Sequence, residues 1–581
     1  MNIFLCQSIQ SQIELEEIAD VKRQIITPSS SRTSIGIAQD GLVGAYKLTD
    51  SKVRIDRKNA MNIVSYTSVE DFSVFKKSKE ELTGHELFSL IIPEKINISK
   101  YDDGKPILVI KNGTLTDGYI KGDSLAAGKK NSLVQLIWDE YGVEETKDFM
   151  NNTSRLINNY LLWNGFTVGI GDMTIGRNVE EEIQKTLQTR ELKVQNMITE
   201  IENNPELMDE DLFENTLFSE LNVARDDVGK LIQSNNNPDN CVTVMHQSGS
   251  KGDANNTGQM SGCIGLQSVE GKLPQKKINN RTIPYFHEND DTAVARGLVK
   301  QSFLRGTRFP EFFFINMAAR EGLISSAVLT AESGYIQRKL IKILEDAVIA
   351  YDKTVRTANN GILQFMYGDA GSNTIKQYEH TIKLIEMSNT EIMKKYCFND
   401  DELKDFKNYT KKDNQQYYET LLKMRDELRN IHLKTKLDMK TLASTYMIPV
   451  NIVRVVDSIK NTNMKDNTKL EPSDIIKGID YIVEKARLVN LTKDEVSDKN
   501  NLRNKDDKVA KTLFNIALYE YLSPKRCIND FKLNKKQFDE IVNEFIKNYN
   551  KNMIEPGEMV GIIAAQAMGE PINWLVTADC L

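Results

Sequence analysis

The chain has 581 residues, 75 Lys and Arg against 82 Asp and Glu, a formal net charge of −7 and a pI near 5.6. That length exceeds what one hydrophobic core organises, so several domains are expected, and the acidic balance excludes a chain-wide polyanion binder while leaving local basic surfaces open. Scattered cysteines (Cys6, Cys241, Cys263, Cys397, Cys527, Cys580) with no C-x-x-C pair point to a reducing compartment and away from a structural zinc site, and the histidines (His85, His246, His287, His380, His432) show no H-E-x-x-H spacing.

The first residues, MNIFLCQSIQSQIELEE, have no basic start and turn polar quickly, so no secretory signal is read there. No apolar run along the chain is expected to reach the length that spans a bilayer. Residues 1 to about 165 mix strand signals with short helices. In KPILVIKNGTLTDGYIKG, Asn112-Gly113 and Asp117-Gly118 sit between apolar runs, which is turn chemistry between strands. SLVQLIWDEYG and RLINNYLLWNGF read as helices, and NGFTVGIGD (164–172) as a glycine-rich loop.

Residues 177–235 read as a helical hairpin. Ile183, Leu187, Val194, Ile198 and Ile201 recur at spacings of an amphipathic helix, Pro205 breaks it, and LFENTLFSELNVARDDVGKLI resumes it. This stripe is core packing, and the hairpin is a structural arm. Residues 240–290 read as one long ordered loop with Ser250-Lys251-Gly252 at a tight turn. It does not match the G-x-x-x-x-G-K-[ST] pattern of a phosphate-cradling loop.

A single long helix is predicted from about 308 to 346, with Pro310 in its first turn, where proline is tolerated. It carries Gly322 and Gly334 inside and is rich in small residues. Interior glycine costs about 1 kcal/mol relative to alanine, so close approach or bending is expected at these two positions. Residues 296–356 hold ten Lys and Arg against six Asp and Glu, a local positive excess in an acidic chain. Residues 372–545 are polar, Lys- and Asn-rich and mostly helical. DEDLFEN (209–215) and DDEL (400–403) read as acidic helix starts, and the chain ends in IEPGEMVGIIAAQAMGEPINWLVTADCL.

Several stretches, in order, resemble the largest subunit of multisubunit DNA-dependent RNA polymerase, eukaryotic- or viral-like rather than bacterial. PSSSRTSIGIAQDGLVGAYKLT (28–49) resembles its pore region. NGFTVGIGD and NVARDDVGK resemble parts of its funnel helices. GSKGDANNTGQMSGCIGLQSVEGK and RTIPYFHENDDTAVARGLVKQSFLRG resemble the segment before the bridge helix. PEFFFINMAAREGLISSAVLTAESGYIQRKLIKILED is similar to the bridge helix itself, VRTANNGILQFMYGDAG to the segment after it, and EPGEMVGIIAAQAMGEP to the start of the trigger loop.

The resemblance implies a multidomain α+β fold with a β-rich pore region (1–172), a helical-hairpin funnel (173–240) and pre-bridge loops with the bridge helix (241–371). A helical foot (372–545, placed by position), the start of the trigger loop (546–571) and a non-matching tail (572–581) follow. It implies a bridge helix of roughly 54 Å at about 1.5 Å per residue, anchored by Phe312, Phe313 and Phe314 at one end and Leu340, Ile343 and Leu344 at the other. Thr330, Ala331, Gly334, Tyr335 and Arg338 would face nucleic acid, Tyr335 against the template base and Arg338 toward a phosphate. Ser333 adds to the small middle. Gln267 and Ser268 would support the helix from beneath, near the nucleotide pore.

It further implies template-directed RNA synthesis in a multisubunit complex, partnered by the second-largest subunit, the DNA template, the RNA–DNA hybrid and nucleoside triphosphates, with no membrane. The setting would be the nucleus, or the cytoplasm or virion if the source is viral. Magnesium would be the cofactor. Met1-Asn2 resemble the end of the family's N-A-D-F-D-G-D-E-M-N loop, so the resemblance puts the magnesium-binding aspartates before residue 1, with no catalytic or metal-binding residue in the chain. The tail INWLVTADCL departs from the family's continuation. From these departures we expect a piece of an interrupted gene that catalyses nothing alone. The alternative is a non-catalytic helical scaffold derived from such a subunit.

Overall fold

A computed structural model describes residues 3–76, 80–102, 105–203, 210–235, 237–406, 408–435, 445–460, 468–487 and 502–578. It is a helix-rich α and β structure whose sheets are small, with two or three strands each.

The first body gathers around Leu48, Leu87, Ile110, Ile137 and Ile157, all buried. Its largest sheet is antiparallel, with β1 (Ile98–Asp102), β2 (Lys105–Lys111) and β3 (Thr114–Gly118) in that order. Asn112 and Gly113 turn the chain from β2 to β3 with φ of 46° and 73°, the left-handed pair a two-residue hairpin needs. Asp117-Gly118, expected to be a second turn, lies inside β3 instead. A Cβ on Gly118 would meet the Ile107 carbonyl oxygen at 2.1 Å, so this glycine marks close passage of two backbones. Helices α1 (Leu133–Tyr141) and α2 (Val143–Asn164) complete the body.

Helices α3 (Arg177–Asn203) and α4 (Glu210–Asn235) pack together as the periodicity predicts. Ile183, Leu187, Val194 and Ile198 are buried with Leu217, Leu221, Ala224 and Val228 of α4. Ile201 is half-buried at the end of the stripe, and Pro205 falls outside the described residues. Arg190 ties the pair, reaching Glu220 at 3.2 Å and Asp227 at 2.6 Å.

The segment after α4 is less loop-like than expected. Asn240 caps a helix at Cys241–Gln247 and Asp253 caps another at Ala254–Ser261, each side chain accepting from backbone N–H groups. Leu266, Leu273 and Leu298 then bury against the hairpin. The basic residues that follow are held by hairpin carboxylates. Arg296, buried, pairs with Glu214, Lys300 pairs with Glu191, and Arg305 pairs with Glu180.

This seat launches α5 (Phe309–Leu344), a single helix of 36 residues. Pro310 lies in its first turn, and buried Glu311 closes its start by accepting from the backbone N–H of Arg308 (2.9 Å) and of Lys300 (3.2 Å). Beyond it, the described residues between 372 and 553 fold as a helical excursion around Ile392, Leu421, Val456, Ile479, Phe514 and Phe545. The two ends of the excursion meet, with Ser372 paired to Met553 and the Ile554 N–H on the Gly371 carbonyl (3.0 Å). The chain therefore returns to where it left. Ile349 N–H donates to Glu558 (3.1 Å) and Gly561 N–H to Ala347 (3.1 Å), which delivers the last helix, α6 (Val560–Ala578), alongside α5.

By length and composition alone α5 is apolar enough to cross a membrane, contrary to the expectation that no such run exists. Only 11% of its most apolar stretch is buried within the chain.

Candidate functional site

Helix α5 has two unlike sides. One side is packed: Glu311, Phe314 and Leu329 are buried, and α6 lies along the C-terminal half. The packing of α6 is close because its contact residues are small. A Cβ on Gly561 would meet the Leu344 carbonyl oxygen at 1.8 Å, and one on Gly569 would meet Gln337 Cδ at 3.1 Å. Ser29 Oγ also donates to Glu570 of α6 (3.1 Å), tying it to the first body.

The other side is open along the helix. Arg320, Leu323, Ile324, Ala327, Ala331, Gly334, Tyr335, Arg338 and Lys342 are all exposed and recur at spacings of three and four, one stripe. Arg320 and Arg338 are about 27 Å apart at ~1.5 Å per residue. Between them the floor is low, because Ala327, Ala331 and Gly334 have little or no side chain. Tyr335 stands 61% exposed at its edge. Lys339, one turn on, lies over the Tyr335 ring with Nζ 3.9 Å from the centroid. Thr330, also exposed, turns its hydroxyl back onto the Ala327 carbonyl (2.9 Å). Ser333 is half-buried on the flank.

The structure thus brings Ala331, Gly334, Tyr335 and Arg338 to one surface, whereas Thr330 falls on the flank of the helix, about a quarter-turn from Ala331. A flat group can lie on the small floor, Tyr335 offers a ring for stacking, and Arg338 a planar cation for a phosphate. Gly322 and Gly334 do not mark close approach within this chain, since a Cβ on either would meet nothing within 4 Å. Of the six expected anchors only Phe314 is buried, stacked on Phe286 with centroids 6.1 Å apart. Phe312, Phe313 and Ile343 are exposed, and Leu340 and Leu344 are half-buried. Phe314 points into the pre-helix segment, whereas its neighbours fall on other sides of the helix.

Gln267 and Ser268 are half-buried on a loop beside α5. Gln267 N–H donates to Gly297 (3.0 Å), and two residues past Ser268 the Glu270 N–H donates to Glu321 Oε1 of α5 (2.7 Å). Their loop meets α5 through this Glu270–Glu321 bond on the flank of the helix. Sequence reasoning missed the seat of α6. The pair Gly561 and Gly569, about two turns apart, was the available signal. It also missed Lys339 over Tyr335, although i,i+4 spacing predicts such a pair.

Among the described residues no group of three or more His, Cys, Asp or Glu is placed to hold a metal ion. No chemical step is derived through a magnesium ion.

Three family profiles match successive stretches of the chain: RNA polymerase Rpb1, domain 3, over residues 24–173; domain 4 over 192–299; and domain 5 over 306–576. The chain is also 37% identical over 584 aligned positions to a protein of Acanthamoeba polyphaga mimivirus described as DNA-directed RNA polymerase subunit 1. The alignment covers 99% of this chain and 38% of that protein. The chain spans well under half the length of this curated relative.

Proposed function

This chain belongs to the family of RNA polymerase largest subunits, and we propose that within such an enzyme it supplies the helix that crosses the active-centre cleft, with its supports. The observation that carries this reading is the open, small-floored stripe on α5, backed on its other side by α6. In this reading α5 is the bridge helix, α3 and α4 are the funnel, the first body is the pore region, and the helical excursion is the foot. The template base pair lies on Ala331 and Gly334, Tyr335 stacks on the template base, and Arg338 holds a backbone phosphate. Gly322 and Gly334 leave α5 free to bend, because no neighbouring atom of this chain fills the space a side chain would take.

The complete enzyme joins nucleoside triphosphates on a DNA template, with magnesium stabilising the attacking and leaving oxygens. In this reading the residues of the open stripe position nucleic acid. Partners are the second-largest subunit, the rest of the largest subunit, the template and the RNA–DNA hybrid. The mimivirus relative supports a viral setting, in the cytoplasm or the virion.

The test is Ala331→Phe in the assembled polymerase. A phenyl ring fills the low floor without burying a polar group, so assembly is expected to stay normal while elongation slows at least about tenfold, roughly 1.4 kcal/mol on the barrier. Wild-type elongation by that variant would remove Ala331 from the active centre.

A further inference from the structure

Just before α5 the backbone is pinned to two neighbouring segments. Strand β4 (Gly265–Leu266) pairs antiparallel with β5 (Leu298–Val299), and Leu298 and Val299 are both buried. Past β5, the Ile264 N–H donates to the Gln301 carbonyl (3.0 Å). The N–H groups of Phe303 and Leu304 donate to the carbonyls of Gln259 and Met260 (3.2 Å each) on the helix Ala254–Ser261.

The basic residues of this segment reach the hairpin, Arg296 to Glu214, Lys300 to Glu191 and Arg305 to Glu180. Glu180 and Glu191 stand about three turns apart on α3 and so share one side of it. The backbone N–H of Arg296 stays local, on the Thr292 carbonyl (3.0 Å), and that of Arg305 lies 3.4 Å from Ser302 Oγ. Lys300 differs. Its side chain pairs with Glu191 of α3, and its N–H donates to Glu311 Oε1 of α5 (3.2 Å). Glu311 is 3% exposed, and its Oε2 accepts from the Arg308 N–H (2.9 Å) at the helix start. One buried carboxylate thus binds the first turn of α5 to a residue whose side chain is held by the hairpin.

We infer that Lys300 and Glu311 are positioning residues for RNA synthesis: through them the α3–α4 hairpin sets where α5 begins. The inference rests on α5 being the helix that crosses the active-centre cleft. The chemistry suits the task. A carboxylate that accepts two backbone N–H groups fixes direction as well as distance, because each bond is directional and charge-assisted. The Lys300 and Glu191 side chains are 33% and 35% exposed, so breaking their pair leaves both ends within reach of water and strands no buried charge. Loss of that pair therefore changes position more than folding. Ala331 lies on the same continuous helix as Glu311, about 30 Å along its axis, so a shift at the start is carried to the small floor.

The test uses the assembled polymerase, elongating on a defined template over a range of nucleoside triphosphate concentrations. Lys300→Glu sets two like charges together. It should lower the maximal elongation rate about tenfold with KM little changed, since a misplaced helix slows the step while nucleotide capture is left alone. Adding Glu191→Lys restores the pair in reverse and should bring the rate back to within about twofold. Glu311→Gln keeps one acceptor oxygen and turns a donor toward the other N–H. It should slow elongation in the same way, and combined with Lys300→Glu it should add little, because both changes break one link. Lys193→Glu reverses a charge on the same helix α3, in a pair with Glu220 internal to the hairpin (2.6 Å), and should leave elongation unchanged.

Full-rate elongation by Lys300→Glu, failure of Glu191→Lys to rescue it, or equal slowing by Lys193→Glu would overturn the inference. If Lys300→Glu does not assemble, Lys300→Gln takes its place, and wild-type elongation by that variant would overturn it. Ala331→Phe in the same assay separates the two claims. A slow Ala331→Phe beside a full-rate Lys300→Glu removes only the link, whereas a full-rate Ala331→Phe removes the reading of α5 on which the link rests.

Discussion

Arg338 owes its proposed role to position more than to charge. Residues 296–356 are rich in Lys and Arg, but Arg296, Lys300, Arg305, Lys342 and Arg356 are each paired with a carboxylate of this chain. Of the basic side chains on the open stripe, Lys342 is the one paired with a carboxylate, and Arg320 and Arg338 flank the small floor. In the assembled enzyme, Arg338→Ala should lower template affinity alike for all sequences. It should also reduce the slope of log affinity against log salt by about 1, the loss of one phosphate contact. An unchanged salt slope would place Arg338 away from the nucleic-acid backbone. The face holding Ala331, Gly334, Tyr335 and Arg338 was legible in the sequence, because helical spacing fixes which residues share a side. Which basic residues are neutralised was not, since Glu180, Glu191 and Glu214 are more than eighty positions away from their partners along the chain.

At the scale of elements, the length of α5 was readable from its proline start and unbroken helical composition, and the structure runs from Phe309 to Leu344. The two capped helices after α4 were missed although Asn240 and Asp253 stand where caps belong, because the glycine and asparagine content around them read as loop. The docking of α6 was not readable, since contact between elements depends on the return of the excursion. Its key position gives a sharp test. Gly561→Val places a side chain against the Leu344 carbonyl and the Ala347 Cβ, 1.8 and 2.9 Å from an ideal Cβ, and backbone cannot yield as a side-chain tip can. The expected loss is about 1–3 kcal/mol, read as a lower melting temperature and lost exchange protection in α6. Gly334→Ala meets nothing within 4 Å and should leave stability equal or raise it by about 1 kcal/mol. Unchanged melting of Gly561→Val would show that α6 is not seated as described.

At the scale of the whole molecule, an acidic chain presents one long helix whose apolar and small residues are left uncovered. Leu323 and Ile324 are 73% and 57% exposed, and Phe309 and Phe312 at its start are 71% and 57% exposed. A helix that buries so little of itself within its own chain is shaped by what lies outside it. The central claim is that nucleic acid occupies the stripe opposite α6. The direct measurement is photo-crosslinking from single positions of α5 in the assembled polymerase, stalled on a defined template. A crosslinker at Ala331 should label the template strand at the growing end of the hybrid, and one at buried Leu329 should label protein only. Labelling of protein alone from Ala331, or of template equally from Leu329, would contradict the account.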